Sequence, residues 1–262
     1  MQDVIDVAGF LGSWPFREIP RASRDDLKAL AGGLGLRRVV VSSFENLFWE
    51  NAFDAARRTA DAVEGDELLV HFPMVNAAFP GALDDLKRLY EDRPFRGVRL
   101  LSNYHGYSLA DPAVDDLIAW THQQGLVVQV FRRIVDERLH YMLRVPPVPD
   151  DELKGLAQRH PEQRVIYSAL WWAEIIGMAD ALGNADHVWF DVSRCRGPEN
   201  WPVRLVEAVP AGQIVFGSLW PLQVIRSTLE EIVFAPFDGQ AASEGDTRAM
   251  ILHDNAAGLL SA

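Results

Sequence analysis

Seven histidines, one cysteine and a scatter of arginines and acids are the side chains through which this chain could do chemistry. His71, His105 and His140 fall near the ends of apolar runs, where a ligand or proton-carrying group would be presented. They show no His-x-His or His-x-x-x-His spacing, so each reads first as a loop or surface residue. His122, His160, His187 and His253 lie on helical stretches or at the opposite end of a run. The arginines are more suggestive. Arg99, Arg132, Arg133, Arg194 and Arg196 each end or follow an apolar run, and a guanidinium fork grips carboxylate or phosphate. Glu45, Asp136, Glu137, Glu174 and Asp191 stand near enough in sequence to pair with all of them except Arg99. Arg99 is therefore the leading anion clamp, with Asn103, Tyr104, Arg133 and Trp220 as further substrate-binding candidates. His71, His105 and Asp191 are the candidates for moving protons. Trp14, Trp171, Trp172 and Trp220 could stack on a ligand or on one another, and mutual packing is the commoner outcome. The polar run 136–140 reads as a solvated loop with local ion pairs, Asp6 as a structural acceptor, and Cys195 as a packed, inert thiol. No nucleophile elbow, phosphate-binding loop or Ser/His/Asp order is present.

The elements that must carry these residues recur regularly. Runs dense in Val, Ile and Leu at 4–8, 38–42, 68–72, 97–101, 126–131, 164–168, 187–192 and 213–217 predict eight strands buried on both faces, as parallel sheets require. Helical patterns separate them. Ser23 with Asp25 and Asp26 predicts one helix start, Asp111-Pro112 another with the aspartate as cap, and Asp150-Asp151 a third that Pro161 stops. Further helices are predicted over 221–233 and 246–260. Eight β-then-α units make a (β/α)8 TIM barrel, one domain over 1–262 with a C-terminal helix, the best architecture. A doubly wound open sheet is the runner-up, but no glycine-rich loop follows the first strand. The proline-rich 145–149 stretch reads as a stiff loop segment inside the fifth unit.

Bulk properties agree. At 262 residues the chain is right for one barrel, and its net charge of −12 speaks against a nucleic-acid partner. A single cysteine excludes an internal disulfide and fits a reducing compartment. The absence of a basic, apolar leader or a ~20-residue apolar span leads to the expectation of a cytoplasmic protein with no membrane partner. An exposed lid face could support a homodimer.

Several segments carry a family resemblance. Val215-Phe216-Gly217-Ser218-Leu219-Trp220-Pro221 resembles the Phe-Gly-Ser-Asp-Trp-Pro signature of the last strand in the amidohydrolase superfamily, with leucine where the acid stands. Ile5-Asp6-Val7-Ala8-Gly9-Phe10-Leu11-Gly12 is similar to the first-strand signature Asp-x-His-x-His-x-Gly, with Ala8 and Phe10 at the histidines. Gly97-Val98-Arg99-Leu100 resembles the fourth-strand Gly-Val-Lys-Leu, and Asp191-Val192-Ser193 the Asp-x-Ser ending strand seven. The resemblance implies histidines ending strands five and six, where Phe131 and Ala169 stand. It covers the whole chain, of the amidohydrolase-2 type of TIM-barrel hydrolase.

Five positions implied to hold four histidines and an aspartate thus hold Ala8, Phe10, Phe131, Ala169 and Leu219. Zinc needs three or four N, O or S donors at ~2.0–2.3 Å, and these side chains offer none. The expectation is a member without the metal centre or any cofactor, and a non-catalytic binding or scaffold protein. The alternative is a metal-independent lactone hydrolase or isomerase, with a small anionic substrate on Arg99. An ordinary zinc hydrolase with misaligned ligands is the third reading.

Overall fold

The computed structural model describes residues 3–49, 51–135, 143–198, 200–237 and 244–261. Strands β1 (Val4–Leu11), β2 (Leu36–Ser43) and β3 (Leu69–His71) pair in parallel, in that order. A second parallel set runs β4 (Met74–Val75), β5 (Gly97–Leu100), β6 (Val127–Phe131), β7 (Val165–Ser168), β8 (Val188–Asp191) and β9 (Ile214–Val215). β3 and β4 follow one path, the third predicted strand and its extension. Pro73 stands between them with no N–H to donate, so the ladder breaks there. Neighbouring strands bridge the break: Phe72 N donates to Val41 O at 3.0 Å and Arg99 N to Pro73 O at 2.9 Å. At the other seam Val7 N donates to Phe216 O (3.0 Å) and Phe10 N to Trp220 O (2.8 Å). These bonds close the last strand onto the first, giving the eight-stranded parallel barrel expected of the sequence.

The outer ring comprises α1 (Arg24–Leu34), α2 (Glu45–Phe48), α3 (Phe53–Val63), α4 (Ala82–Asp92), α5 (Ser102–His105), α6 (Pro112–Gln123), α7 (Asp150–Arg159), α8 (Trp172–Ala181), α9 (Trp201–Ala208) and α10 (Ile225–Val233). Ser23 caps α1 as expected, in a reciprocal pair with Asp26. Asp111 does not cap α6: its carboxylate instead accepts from Ser108 N at 3.1 Å. The helix predicted from 221 begins four residues later, at Ile225. The closing helix is composite, with α11 (Glu244–Ala249), a π turn over Met250–Asp254 and α12 (Asn255–Ser261).

Strand alternation sorts the core. On β6, Val128 and Val130 face the helix layer, while Val127, Gln129 and Phe131 face the barrel axis. Those three mark three levels. Val127 belongs to an apolar base with Ile5, Val7, Val40, Phe72, Ile166 and Val215, against which α12 seats Ala256, Leu259 and Leu260. Gln129 sits in a polar middle. Phe131 joins the apolar mouth, where the loops that would carry chemistry converge.

Candidate functional site

Ala8, Phe10, Phe131, Ala169 and Leu219 come together in one cluster, all fully buried. Phe44, Leu47, Met74, Leu101, Ile134 and Trp14 complete it. Phe10 lies flat against Phe44 with ring centroids 4.9 Å apart and meets Phe131 edge-on at 5.3 Å. Above them Trp14 packs edgewise on Phe44, Phe48 and Tyr104. Two cluster members keep a backbone that L-residues rarely adopt: φ is +61° at Ala169 and +57° at Leu219. Strain of this kind persists where surrounding structure imposes it. Here the imposing contacts include Asp191, whose Oδ1 accepts from Ala169 N at 3.3 Å, and Asp6, which holds Ser218 beside Leu219.

Beneath this plug lies the polar level. Arg99 is completely buried. Its Nε donates to Gln129 Oε1 (2.8 Å), Nη1 to Gly9 O (2.7 Å) and Ser42 Oγ (3.2 Å), and Nη2 to Val7 O (2.8 Å) and Val40 O (2.9 Å). A guanidinium has five N–H donors, so none is left for an anion. Gln129 Nε2 donates onward to Val7 O and Ser168 Oγ. Asp6 accepts from Ala8 N, Ser218 N and the Ser218 hydroxyl, and Asp191 from Ser193 N and the Ser193 hydroxyl. Gly217 allows this crowding, since a Cβ there would lie 3.0 Å from both Ala8 Cβ and Asp191 Cγ.

Burial sets the protonation of these groups. It pushes the Asp6 carboxyl up to about 6, against the pull of the Ser218 hydroxyl and two backbone amides. Asp191 is raised for the same reason, with the Ser168 and Ser193 hydroxyls opposing. Burial lowers Arg99 to about 9, and Asp6 and Asp191 act against that fall. It lowers His71 to about 3, reinforced by the Arg99 charge, which leaves the imidazole neutral at ordinary pH.

The remaining sequence candidates scatter. His105 on α5 is held by Asn46 O at 2.8 Å and lies against Tyr107. Asn103 staples the loop after β6, donating to Arg132 O (3.2 Å) and Pro146 O (2.9 Å). Tyr104 packs on the plug, and burial raises its hydroxyl above the ordinary range. Arg133 forms a two-pronged pair with Glu174, at 2.6 and 2.8 Å, while Arg132 bonds Asp150 and Arg196 bonds Gln223. Arg194 lies over the Trp171 ring at 5.0 Å. Trp220, expected at the ligand, is buried in the main core between barrel and helices instead. His140 and the 136–140 run lie outside the described residues. Gln129, Ser42, Ser168 and Ser218 were missed. A lone glutamine in the run Val127-Val128-Gln129-Val130-Phe131 was the available signal, because a polar side chain in a twice-buried strand must find a partner.

Among the described residues the donor chemistry at the mouth does not fit a metal centre. The five positions at the mouth offer carbon only, Asp6 is engaged on both oxygens by the Ser218 hydroxyl and backbone amides, and Asp191 is engaged on Oδ1, leaving one buried carboxylate oxygen, Oδ2, outside that network. Among the described residues no group of three or more His, Cys, Asp or Glu is arranged to hold a metal ion.

A family model described as amidohydrolase matches residues 9–261. No curated protein matches this sequence. Among solved structures, 2,6-dihydroxybenzoate decarboxylase from Rhizobium superposes with a TM-score of 0.73 at 14% identity, over 99% of each chain. 5-Carboxyvanillate decarboxylase from Sphingomonas paucimobilis gives 0.73 at 15% identity, again over 99% of each. A probable 2-pyrone-4,6-dicarboxylic acid hydrolase from Acinetobacter baumannii, with citric acid bound, gives 0.67 at 16%, over 99% of this chain and 100% of that one. At such identities the likeness is one of fold.

Proposed function

The chain belongs to the amidohydrolase family, and from that premise we propose that it is a member without a metal centre, a binding or scaffold protein and not a metal-dependent hydrolase. One observation carries the reading: Ala8, Phe10, Phe131, Ala169 and Leu219 form a single buried apolar cluster at the mouth. Five unrelated replacements would leave cavities among them. These replacements instead pack on one another, with two aromatic contacts among them and Phe44.

The test is metal content and turnover on one preparation. Protein purified without chelator is expected to carry zinc and manganese far below one per chain. It is also expected to turn over no ester, lactone or amide, and no dihydroxybenzoate, carboxyvanillate or pyrone dicarboxylate, the compounds in the neighbours' names. Stoichiometric metal accompanied by turnover would overturn the reading. The alternative, a metal-independent lactone hydrolase or isomerase with a small anion on Arg99, requires that guanidinium to exchange acceptors it now holds. It predicts turnover that disappears in Arg99→Ala.

A further inference from the structure

We propose that Arg99 is the resident cation of this barrel, a fixed charge that ties strands together and offsets charge on two buried acids at the level where the mouth offers no metal ligands. The inference builds on the reading of the mouth as metal-free, and concerns what holds the polar level beneath it.

The need arises in β1. Asp6 pairs with Val39 and Gly9 with Val41, so three steps along β1 oppose two along β2. Such a bulge breaks the ladder and leaves carbonyls without strand partners. The Val7 and Gly9 carbonyls both turn to Arg99, as does Val40 from β2. Gly9 is needed for the approach, since a Cβ there would lie 2.6 Å from Val39 Cγ1 and 3.2 Å from Val40 O. From β5, one guanidinium therefore clasps β1, β2 and, through Gln129, β6. A planar fork with five donors can reach these acceptors at once. A lysine ammonium, with three donors on one atom, cannot.

The plug is built to this cation. Arg99 Cζ lies 4.9 Å from the Phe10 ring centroid and 5.3 Å from that of Phe131, so two of the apolar replacements present π faces to a desolvated charge. The titratable groups facing it are Asp6 from β1, Asp191 from β8 and His71 from β3. With His71 uncharged, one cation offsets one of the two acids, so the set is neutral when one carboxyl keeps its proton and carries a single negative charge when both are ionised. Protein acceptors take all five Arg99 N–H groups in this arrangement, so its role is structural.

Thermal unfolding of the full chain tests the proposal in five forms: unmodified, Arg99→Lys, Arg99→Met, Asp191→Asn, and Arg99→Met combined with Asp191→Asn. Removing one partner of a buried charge set is expected to lower Tm by ~10 °C or more. Arg99→Lys should recover only part of that loss. Asp191→Asn alone should lower Tm, yet in the Arg99→Met background it should raise it, because it removes an acid left without its cation. That reversal of sign is the readout a mere packing role would not produce. A lysine variant as stable as the unmodified chain, or additive losses in the double variant, would overturn the proposal. Should Arg99→Met fail to fold, recovery of folded protein in the double variant supports the charge tie, and failure to recover any overturns it. Metal content of the unmodified protein decides the earlier reading separately, so either can fall while the other stands.

Discussion

Leu219 shows what a single residue can and cannot announce. Its place in Val215-Phe216-Gly217-Ser218-Leu219-Trp220-Pro221 was legible, and so was its inability to bind metal. Its left-handed φ of +57° and its full burial were not, because both depend on neighbours distant in the chain. The same holds for Arg99. Its inward direction was implied by the resemblance of Gly97-Val98-Arg99-Leu100 to the fourth-strand motif, yet its acceptors include backbone carbonyls beside a bulge that no residue type signals. Restoring the acid at Leu219 is predicted to harm the fold and gain nothing. In Leu219→Asp a carboxylate would sit among phenylalanines with no partner, costing roughly 3–5 kcal/mol in urea unfolding with no rise in bound zinc. A loss below ~1 kcal/mol would mean that the mouth accommodates charge.

At the level of elements, boundaries followed the sequence where local chemistry decides them and departed where tertiary contacts do. Ser23 starts α1 because its cap is local, whereas Asp111 is diverted to Ser108 N. The third strand, expected to end at 72, continues past a break at Pro73, which has no N–H to donate. Asp6 joins two elements, accepting from β1 itself and from Ser218 beyond β9. Its folded-state value of about 6 lies above the ordinary 3.8, so the folded chain holds that proton more tightly. The stabilisation is fully present below pH ~4 and is lost as pH rises to ~6, about 3 kcal/mol in all. His71 on β3 has the opposite sign. Lowered to about 3, it favours the folded state above pH ~6.5, and that advantage fades as pH falls. Between pH 4 and 6 the two groups therefore oppose each other, and Asp6→Asn, which removes only the falling contribution, is expected to make unfolding free energy rise more steeply with pH across that window than in the unmodified chain. An unchanged pH profile would place the proton elsewhere.

Over the whole molecule, the barrel is sealed at both ends by apolar side chains, by the plug at the mouth and by α12 at the base. Leu259 and Leu260 are each only 4% exposed. Leu259→Ala is predicted to cost ~2–5 kcal/mol by leaving a cavity against Ile5 and Val215. A surface-like cost below ~0.5 kcal/mol in denaturant unfolding would show that the base does not rely on it. Among the described residues no helix is long and apolar enough to cross a membrane. The barrel was readable from the chain alone, because eight twice-buried strands alternating with amphipathic helices leave few other ways to bury both faces. The five apolar replacements and the family likeness were readable too, since each lies in a motif a few residues long. What only the tertiary structure decided was convergence. Residues separated by up to 211 positions, Ala8 and Leu219, meet in one plug, and Arg99 proves to be engaged on every donor. Contacts across a closed barrel depend on register and bulges, and no local pattern encodes those.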